Sequence, residues 1–380
     1  MSILFGICLI VIIYTYFGYP LLLWLWSLVG ARSVRKSDIV PSVSVLIPAH
    51  NEEEVIESKV RNLLELDYPR EKLEILIGCD GCTDRTVEIV ERLTREGAIR
   101  SLISREWLGK PSALNALARE ANGEIFVLAD ARQRFDRTAI RELVRCLNDP
   151  EVASVSGRLF IETSGEGCAR GVGLYWRYET WLREKESATG SMLGATGAIY
   201  AIRRQFFGDF PENILLDDVY APMKAIMAGK RAVFEPAARA FDTASETAGQ
   251  EYKRKVRTLA GNIQIFSLYG SAFDPFRSPI AWRMFSHKFL RLVMPYFLIL
   301  LLASSIHLAG RGLPYLVALL MQAAFYLFAL VGYFSEKRGC KLKGLHRFTC
   351  VPYAFCVLNA ATIAAALTFA SGNIDVKWRT

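Results

Sequence analysis

Four stretches of this chain carry no charged side chain: residues 1–31, 292–310, 312–335 and 349–374. As helices, each is long enough to cross about 30 Å of hydrocarbon, which takes about 20 residues. Residues 32 to about 285 instead mix charge with short apolar runs, the pattern of a folded domain in contact with water. The pattern predicts one membrane helix before that domain and three after it, with buried core helices as the alternative for the later three. No Lys or Arg precedes the first apolar run, which is longer than the core of an ordinary leader peptide. It is therefore read as a retained anchor.

Within the domain, Val43 to Pro48 reads as a buried strand and "LEILIGCD" as a second. Asn51 followed by Glu54 has the form of a capping box and predicts a helix over 52–66, closed at "DYP". "TDRTVEIVERLTREG" predicts a second helix ending at Gly97, and residues 99–103 a third strand. "KPSALNALAREA" predicts a helix with Pro111 in its first turn, and "EIFVLAD" a fourth strand. This alternation calls for an α/β fold whose mainly parallel sheet is covered by helices on both faces. Ligands of such sheets gather beyond the carboxyl ends of the strands. Ala49, His50, Asn51 and Glu52 stand there after the first strand, Asp80 after the second and Asp130 after the fourth.

Charge adds an orientation. Arg32, Arg35 and Lys36 follow the first span, and Arg283, Lys288 and Arg291 precede the second. Arg311 alone separates the second from the third, whereas Lys337, Arg338, Lys341, Lys343 and Arg347 separate the third from the fourth. Basic residues favour the cytoplasmic side, so the N-terminus is expected outside, with the large domain and the basic loop inside. The net charge of +8 then reflects attraction to anionic lipid, and no nucleic-acid partner is needed to explain it.

The eight cysteines, Cys8, Cys79, Cys82, Cys146, Cys168, Cys340, Cys350 and Cys356, show no disulfide framework. Cys79 and Cys82 form a C-x-x-C, which raises a redox or zinc reading. No second pair or His cluster completes a zinc site, and Asp-Gly is an unusual filling for a redox pair. The cysteines are read as incidental and Asp80, at the strand end, as the residue that matters. The loop "PAHNEEE" also lacks the G-x-G-x-x-G that a dinucleotide fold requires for close approach to pyrophosphate.

Other candidates are individually ambiguous. Asp130 suits a hard divalent cation or a plain turn. Lys110, just before a helix, suits a phosphate or plain solvent. Asp217 and Asp218 are adjacent acids at a strand-to-helix junction; mutual repulsion can raise the basicity of one toward that of a general base, or they can cap the helix. Gly194, Thr196 and Gly197 make a loop open to a polyhydroxyl ligand, or an ordinary turn. Lys253, Arg254, Lys255 and Arg257 cluster on an amphipathic helix expected at the bilayer surface.

Taken in order, "PAHNEE", "CDGCTDRT", "GKPSALN", "LADARQ", "GATGAIYAIRR" and "LLDDV" resemble the family 2 inverting glycosyltransferases with the GT-A nucleotide-sugar fold. The likeness is strongest to the membrane-bound branch of cellulose, hyaluronan and poly-N-acetylglucosamine synthases, and it covers about residues 40–270. It implies that Ala49, His50, Asn51 and Glu52 border the nucleoside, that Asp80 binds the base, and that Lys110 contacts the diphosphate. Asp130 would hold Mg²⁺ or Mn²⁺, with no organic cofactor. Asp218 would be the catalytic base with Asp217 beside it. The Gly194–Gly197 loop would line the acceptor site, and Arg254 and Arg257 would lie toward the acceptor or diphosphate.

The implied division is a membrane helix over 1–31, a cytoplasmic GT-A domain over 32–245, interfacial helices over 246–287, and membrane helices over 288–310, 312–335 and 349–372 of an inner-membrane protein. The implied partners are a nucleotide-sugar donor, first of all a UDP-sugar, a lipid-linked or polysaccharide acceptor, and the bilayer. Two departures stand out. Arg132 replaces the second acid of the family's D-x-D, and its Q-x-x-R-W appears as Arg254-x-x-Arg257-Thr258. The second weakens the alternative of a processive polysaccharide synthase. An alternative of another class is a nucleotide-binding transport or scaffold protein.

Overall fold

The computed structural model describes residues 1–162, 169–243, 248–337 and 346–372. Cys168, Cys340 and most of the basic loop between the last two spans (Arg338, Lys341 and Lys343) lie outside the described residues. The chain divides into two compact units.

One unit, residues 30–162 and 183–244, holds a single sheet. Its strands are β1 (Val43–Ala49), β2 (Leu73–Asp80), β3 (Arg100–Ser104), β4 (Ile125–Leu128), β5 (Arg134–Phe135), β6 (Val152–Glu162), β7 (Tyr200–Arg203) and β8 (Arg231–Thr243). Their order across the sheet is β3-β2-β1-β4-β7-β6-β8-β5. β3, β2, β1 and β4 run parallel, as the β–α alternation predicts. The second half adds antiparallel pairings of β4 with β7, β6 with β7 and β5 with β8, beside the parallel pair β6–β8, so the sheet is mixed. Every residue of β1 is buried, the signature of an inner strand covered on both faces.

Local chemistry explains where expectation and structure part. The helix after β1 begins at Ile56 rather than near residue 52. Asn51 has a left-handed backbone, φ 55°, and its side-chain oxygen accepts the amide of Thr83 at 2.8 Å, so it ties two loops together instead of capping a helix. The helices Thr86–Arg95, Lys110–Glu120 and Asp217–Met227 fall where their apolar spacing puts them, the second with Pro111 in its first turn.

The other unit comprises residues 1–29, 163–182 and 245–373. Among the described residues, four helices are long and apolar enough to cross a membrane: Ser2–Val29, Ala281–Arg311, Leu313–Lys337 and Phe348–Ala370. The first contains a π-helical turn at Tyr14–Gly18, where the Tyr14 hydroxyl meets Ser286 Oγ at 2.7 Å. The second helix starts at Ala281, so Arg283, Lys288 and Arg291 lie in its first turns rather than ahead of it. Glu179, on the helix Ala169–Ala188, is buried against Arg291 and against His287 at 3.3 Å. Burial opposes its charge, but Arg291 first, then His287 and Lys288, hold its carboxyl well below the usual range. The basic helix runs Ala248–Leu268.

The sheet unit has a buried cation that fastens its start. The Arg231 guanidinium is 5% exposed and donates to the carbonyls of Gly190 at 2.7 Å, Arg32 at 3.0 Å and Ser187 at 3.3 Å. Replacing it strands several buried carbonyls, each worth about 1–3 kcal/mol. Arg231→Leu is therefore expected to lower the stability of the detergent-solubilised chain by about 3 kcal/mol. A thermal unfolding midpoint equal to that of the wild type would contradict this assignment.

Candidate active site

The site is built from the carboxyl end of the parallel half of the sheet. β2 ends at Asp80, and the chain leaves through Gly81 at φ 61°. A Cβ at Gly81 would lie 2.6 Å from the Trp107 amide nitrogen, so only glycine lets residues 105–109 pass this closely. Asp80 is buried, and both carboxylate oxygens are engaged: Oδ1 accepts the Leu108 amide at 2.8 Å and Oδ2 the Gly109 amide at 2.7 Å. Asp80 thus fastens the loop that delivers Lys110.

After β1, the His50 ring nitrogen Nδ1 lies 2.7 Å from the Asp80 carbonyl, and the ring stacks on Trp107 at 4.1 Å. The Ala49 carbonyl accepts the Cys82 thiol at 3.5 Å. The Glu52 amide donates to Thr86 Oγ1 at 2.8 Å. Burial pushes the Glu52 carboxyl up to about 7; nearby Arg132 works against the shift and nearby Asp130 with it.

The centre is one ammonium group. Lys110 Nζ lies 2.9 Å from Asp130 Oδ1 and 3.3 Å from Asp217 Oδ1. Burial disfavours its charge, yet Asp130 and Asp217, with Asp218 nearby, hold its pKa above the ordinary value. Asp130 remains 39% exposed at its side chain, whereas Asp217 is 9% exposed. The second oxygen of Asp217 is buried with no hydrogen-bond partner among the described residues. Asp218 follows it in the first turn of the helix Asp217–Met227. Its backbone carbonyl accepts the Ala195 amide at 2.7 Å and its Oδ2 the Gly197 amide at 3.0 Å. A Cβ at Gly197 would sit 3.2 Å from that oxygen, so the loop closes directly over the carboxylate. Burial, then the neighbouring charge of Asp217, pushes Asp218 up to about 6, against the pull of Lys110, Arg183 and the Gly197 amide.

The structure therefore brings together Asp80, Lys110, Asp130, Asp217, Asp218 and the Gly194–Gly197 loop, linked through consecutive residues 108–110. His50 and Glu52 adjoin this group through the Asp80 carbonyl and the Asp130 charge. Arg254 and Arg257 lie on the helix Ala248–Leu268 of the other unit. A separate groove of about 630 Å³, lined by Ile39, Glu124, Ile125, Arg203 and Arg204 among others, opens at the start of β4, the end opposite Asp130.

Residues 44–210 match the family described as Glycosyl transferase family 2. The chain carries a glycosyltransferase family 2 domain. Its strand order and helices have the GT-A fold. A solved mannosyltransferase of Pyrobaculum calidifontis, PcManGT, in complex with GDP-Man and Mn²⁺, is similar over 97% of this chain and 99% of its own, with a TM-score of 0.73 and 26% identity. Among curated proteins, the probable glycosyltransferase YdaM of Bacillus subtilis is 29% identical over 59% of this chain. The poly-beta-1,6-N-acetyl-D-glucosamine synthase of Staphylococcus aureus is 24% identical over 65%. The matches span 56% and 64% of those two relatives' lengths.

Three neighbours of this cluster escape a sequence reading. Trp107 is a lone aromatic in a loop, and nothing in its spacing announces a stack on His50. Tyr200, fully buried at the start of β7, turns a hydroxyl without a hydrogen-bond partner among the described residues into surroundings where burial first, and the charges of Asp217 and Asp218 next, hold its proton tightly. Arg183 donates to Thr196 Oγ1 at 2.6 Å from a helix whose pattern gave no hint of the site.

No group of three or more His, Cys, Asp or Glu side chains is placed to hold a metal among the described residues. The donor set fits a divalent cation only as one shared with a ligand: half-exposed Asp130 offers a hard oxygen, and phosphate and water would supply the rest.

Because both Asp80 oxygens serve the loop, Asp80→Asn turns an amide NH₂ toward one of two backbone donors. Hydrogen exchange at Leu108 and Gly109 is expected to quicken by about tenfold or more, the loss of about 1.5 kcal/mol in a charge-assisted hydrogen bond. Unchanged protection there would show that Asp80 does not anchor the loop.

Proposed function

We propose that this protein transfers a sugar from a nucleoside-diphosphate sugar to a hydroxyl of a membrane-associated acceptor, with inversion, at the cytoplasmic face of the membrane. The observation that carries the reading is the Lys110 ammonium between Asp130 and Asp217, with Asp218, a carboxylate of raised basicity, next in the chain.

The chemistry needs two opposite things. An acceptor hydroxyl attacks well only when its proton is removed, and a diphosphate leaves well only when its charge is balanced. Asp218 takes the hydroxyl proton as the new bond to the anomeric carbon forms and the bond to the diphosphate oxygen breaks. Lys110, held charged by its carboxylates, turns toward the departing diphosphate. Asp130 would hold a divalent cation, which, when bound, neutralises the same phosphates. Ala49, His50 and Glu52 border the nucleoside, and Asp80 keeps the loop of Trp107 against it. The Gly194–Gly197 loop belongs to the acceptor side.

A UDP-sugar is the first donor to test. GDP-mannose is the second, favoured by the likeness to PcManGT along the whole chain. A lipid-linked acceptor is preferred to a growing polymer, because Gln and Trp of the chain-building motif are replaced here. A nucleotide-binding scaffold would have no use for a basic carboxylate beside a diphosphate site.

Asp218→Asn is expected to lower kcat by about 10²–10⁴-fold, the range for a general base, with donor affinity nearly unchanged. Sugar transfer and nucleotide binding measured on purified membranes check it; full turnover by the variant would contradict the reading. The pH dependence has a fixed sign. Asp218 works ionised, so kcat is expected to rise with pH through about 6 and level off above it. A profile that falls across that range would contradict a carboxylate base.

A further inference from the structure

Arg183 lies in the C-terminal half of the helix Ala169–Ala188, and its Nη1 donates to Thr196 Oγ1 at 2.6 Å. Thr196 is also fixed from its other side, its amide donating to the buried Ser156 Oγ at 2.9 Å. The next residue, Gly197, gives its amide to Asp218 Oδ2 at 3.0 Å, and Ala195 gives its own to the Asp218 carbonyl at 2.7 Å. A guanidinium therefore grips the middle of a three-residue loop whose two flanking amides both hold Asp218.

We infer that Arg183 is a positioning residue for Asp218: it locks the Ala195–Gly197 loop through Thr196 and keeps a permanent positive charge in that carboxylate's surroundings. This deepens the proposed function and rests on it for the meaning of Asp218. The groups that act on Asp218 can be named from each side. Asp217 adjoins it on its own helix, Lys110 faces it from the helix Lys110–Glu120, the Gly197 amide from the loop, and Arg183 from the helix Ala169–Ala188. Tyr200 on β7 stands in the same field as a neutral hydroxyl. Asp217 and burial favour the proton on Asp218; Lys110, Arg183 and the amide oppose it. Lys110 is already shared with Asp130 and Asp217, so Arg183 is the cation whose hydrogen bond serves the Asp218 loop.

The test uses the full chain in detergent, as wild type, Arg183→Gln, Arg183→Lys and Thr196→Val. The first readout needs no donor. A water-soluble carbodiimide with glycine ethyl ester labels protonated carboxyls, and mass spectrometry follows labelling at Asp218 against pH. Loss of the cation should carry this titration in Arg183→Gln upward by about one pH unit. Arg183→Lys should restore most of it, and Thr196→Val should speed exchange at the Gly197 amide. The second readout is transfer from UDP-N-acetylglucosamine and GDP-mannose, where the acid limb of kcat should move up with the labelling curve and the donor KM should stay put. A labelling curve in Arg183→Gln that overlays the wild type, with only a lower melting temperature, would overturn the inference. A change confined to KM would do the same. If the curve shifts while the wild type turns over neither donor, the positioning role stands and the proposed function is what fails.

Discussion

Asp130, Asp217 and Asp218 can share one end of a sheet because Lys110 stands between the first two. At an effective dielectric of about 20, two like charges about 4 Å apart repel by about 4 kcal/mol. The ammonium, 2.9 Å from one carboxylate and 3.3 Å from the next, offsets that cost, and the carboxylates in turn offset the burial of the ammonium. The arrangement divides the acids. Asp130 and Asp217 share the lysine, while Asp218 lies under the Gly197 amide with its proton affinity raised. A cation placed this way can also be lent to a phosphate, which is the use the proposed reaction makes of it.

Everything around that ammonium serves to place it. Lys110 opens a helix, and the residues just before it are sewn to Asp80 by two amide bonds. Asp80 is in turn held at the end of a buried parallel strand, and Gly81 lets the loop pass over it. The order strand end, loop anchor, lysine, carboxylates is thus a chain of local constraints, each short in sequence, that meet only because β2, β1, β4 and β7 are neighbours. The fold departs from a uniformly parallel sheet in antiparallel β5 and β7, and β7 starts at Tyr200 directly after the loop that covers Asp218.

Much of this was legible in the residues. The charge-free stretches announced four apolar helices, and the strand-end rule singled out Asp80 and Asp130 before any coordinates. The adjacency of Asp217 and Asp218 argued for divided roles. The illegible parts have physical reasons. Asn51 has the sequence form of a helix cap, yet an amide across the fold, that of Thr83, competes for its side chain and wins. Antiparallel pairing of β7 depends on long-range register that no local pattern encodes. Arg183 reaches a loop beyond its own helix and Trp107 a ring at the end of another strand, so their local spacing carries no signal. The Gly194–Gly197 loop reads as a ligand surface, but nothing in its composition announces that the Ala195 and Gly197 amides also hold Asp218.

The central claim is that the Lys110 ammonium, shared by Asp130 and Asp217, is the seat of a donor diphosphate. An experimental structure of the full chain with UDP or GDP and Mn²⁺ tests it most directly. The account predicts diphosphate oxygens within hydrogen-bond reach of Lys110 Nζ, the ion on Asp130, and Asp218 free of both. A nucleotide seated elsewhere, with Lys110 still closed on its two carboxylates, would contradict it.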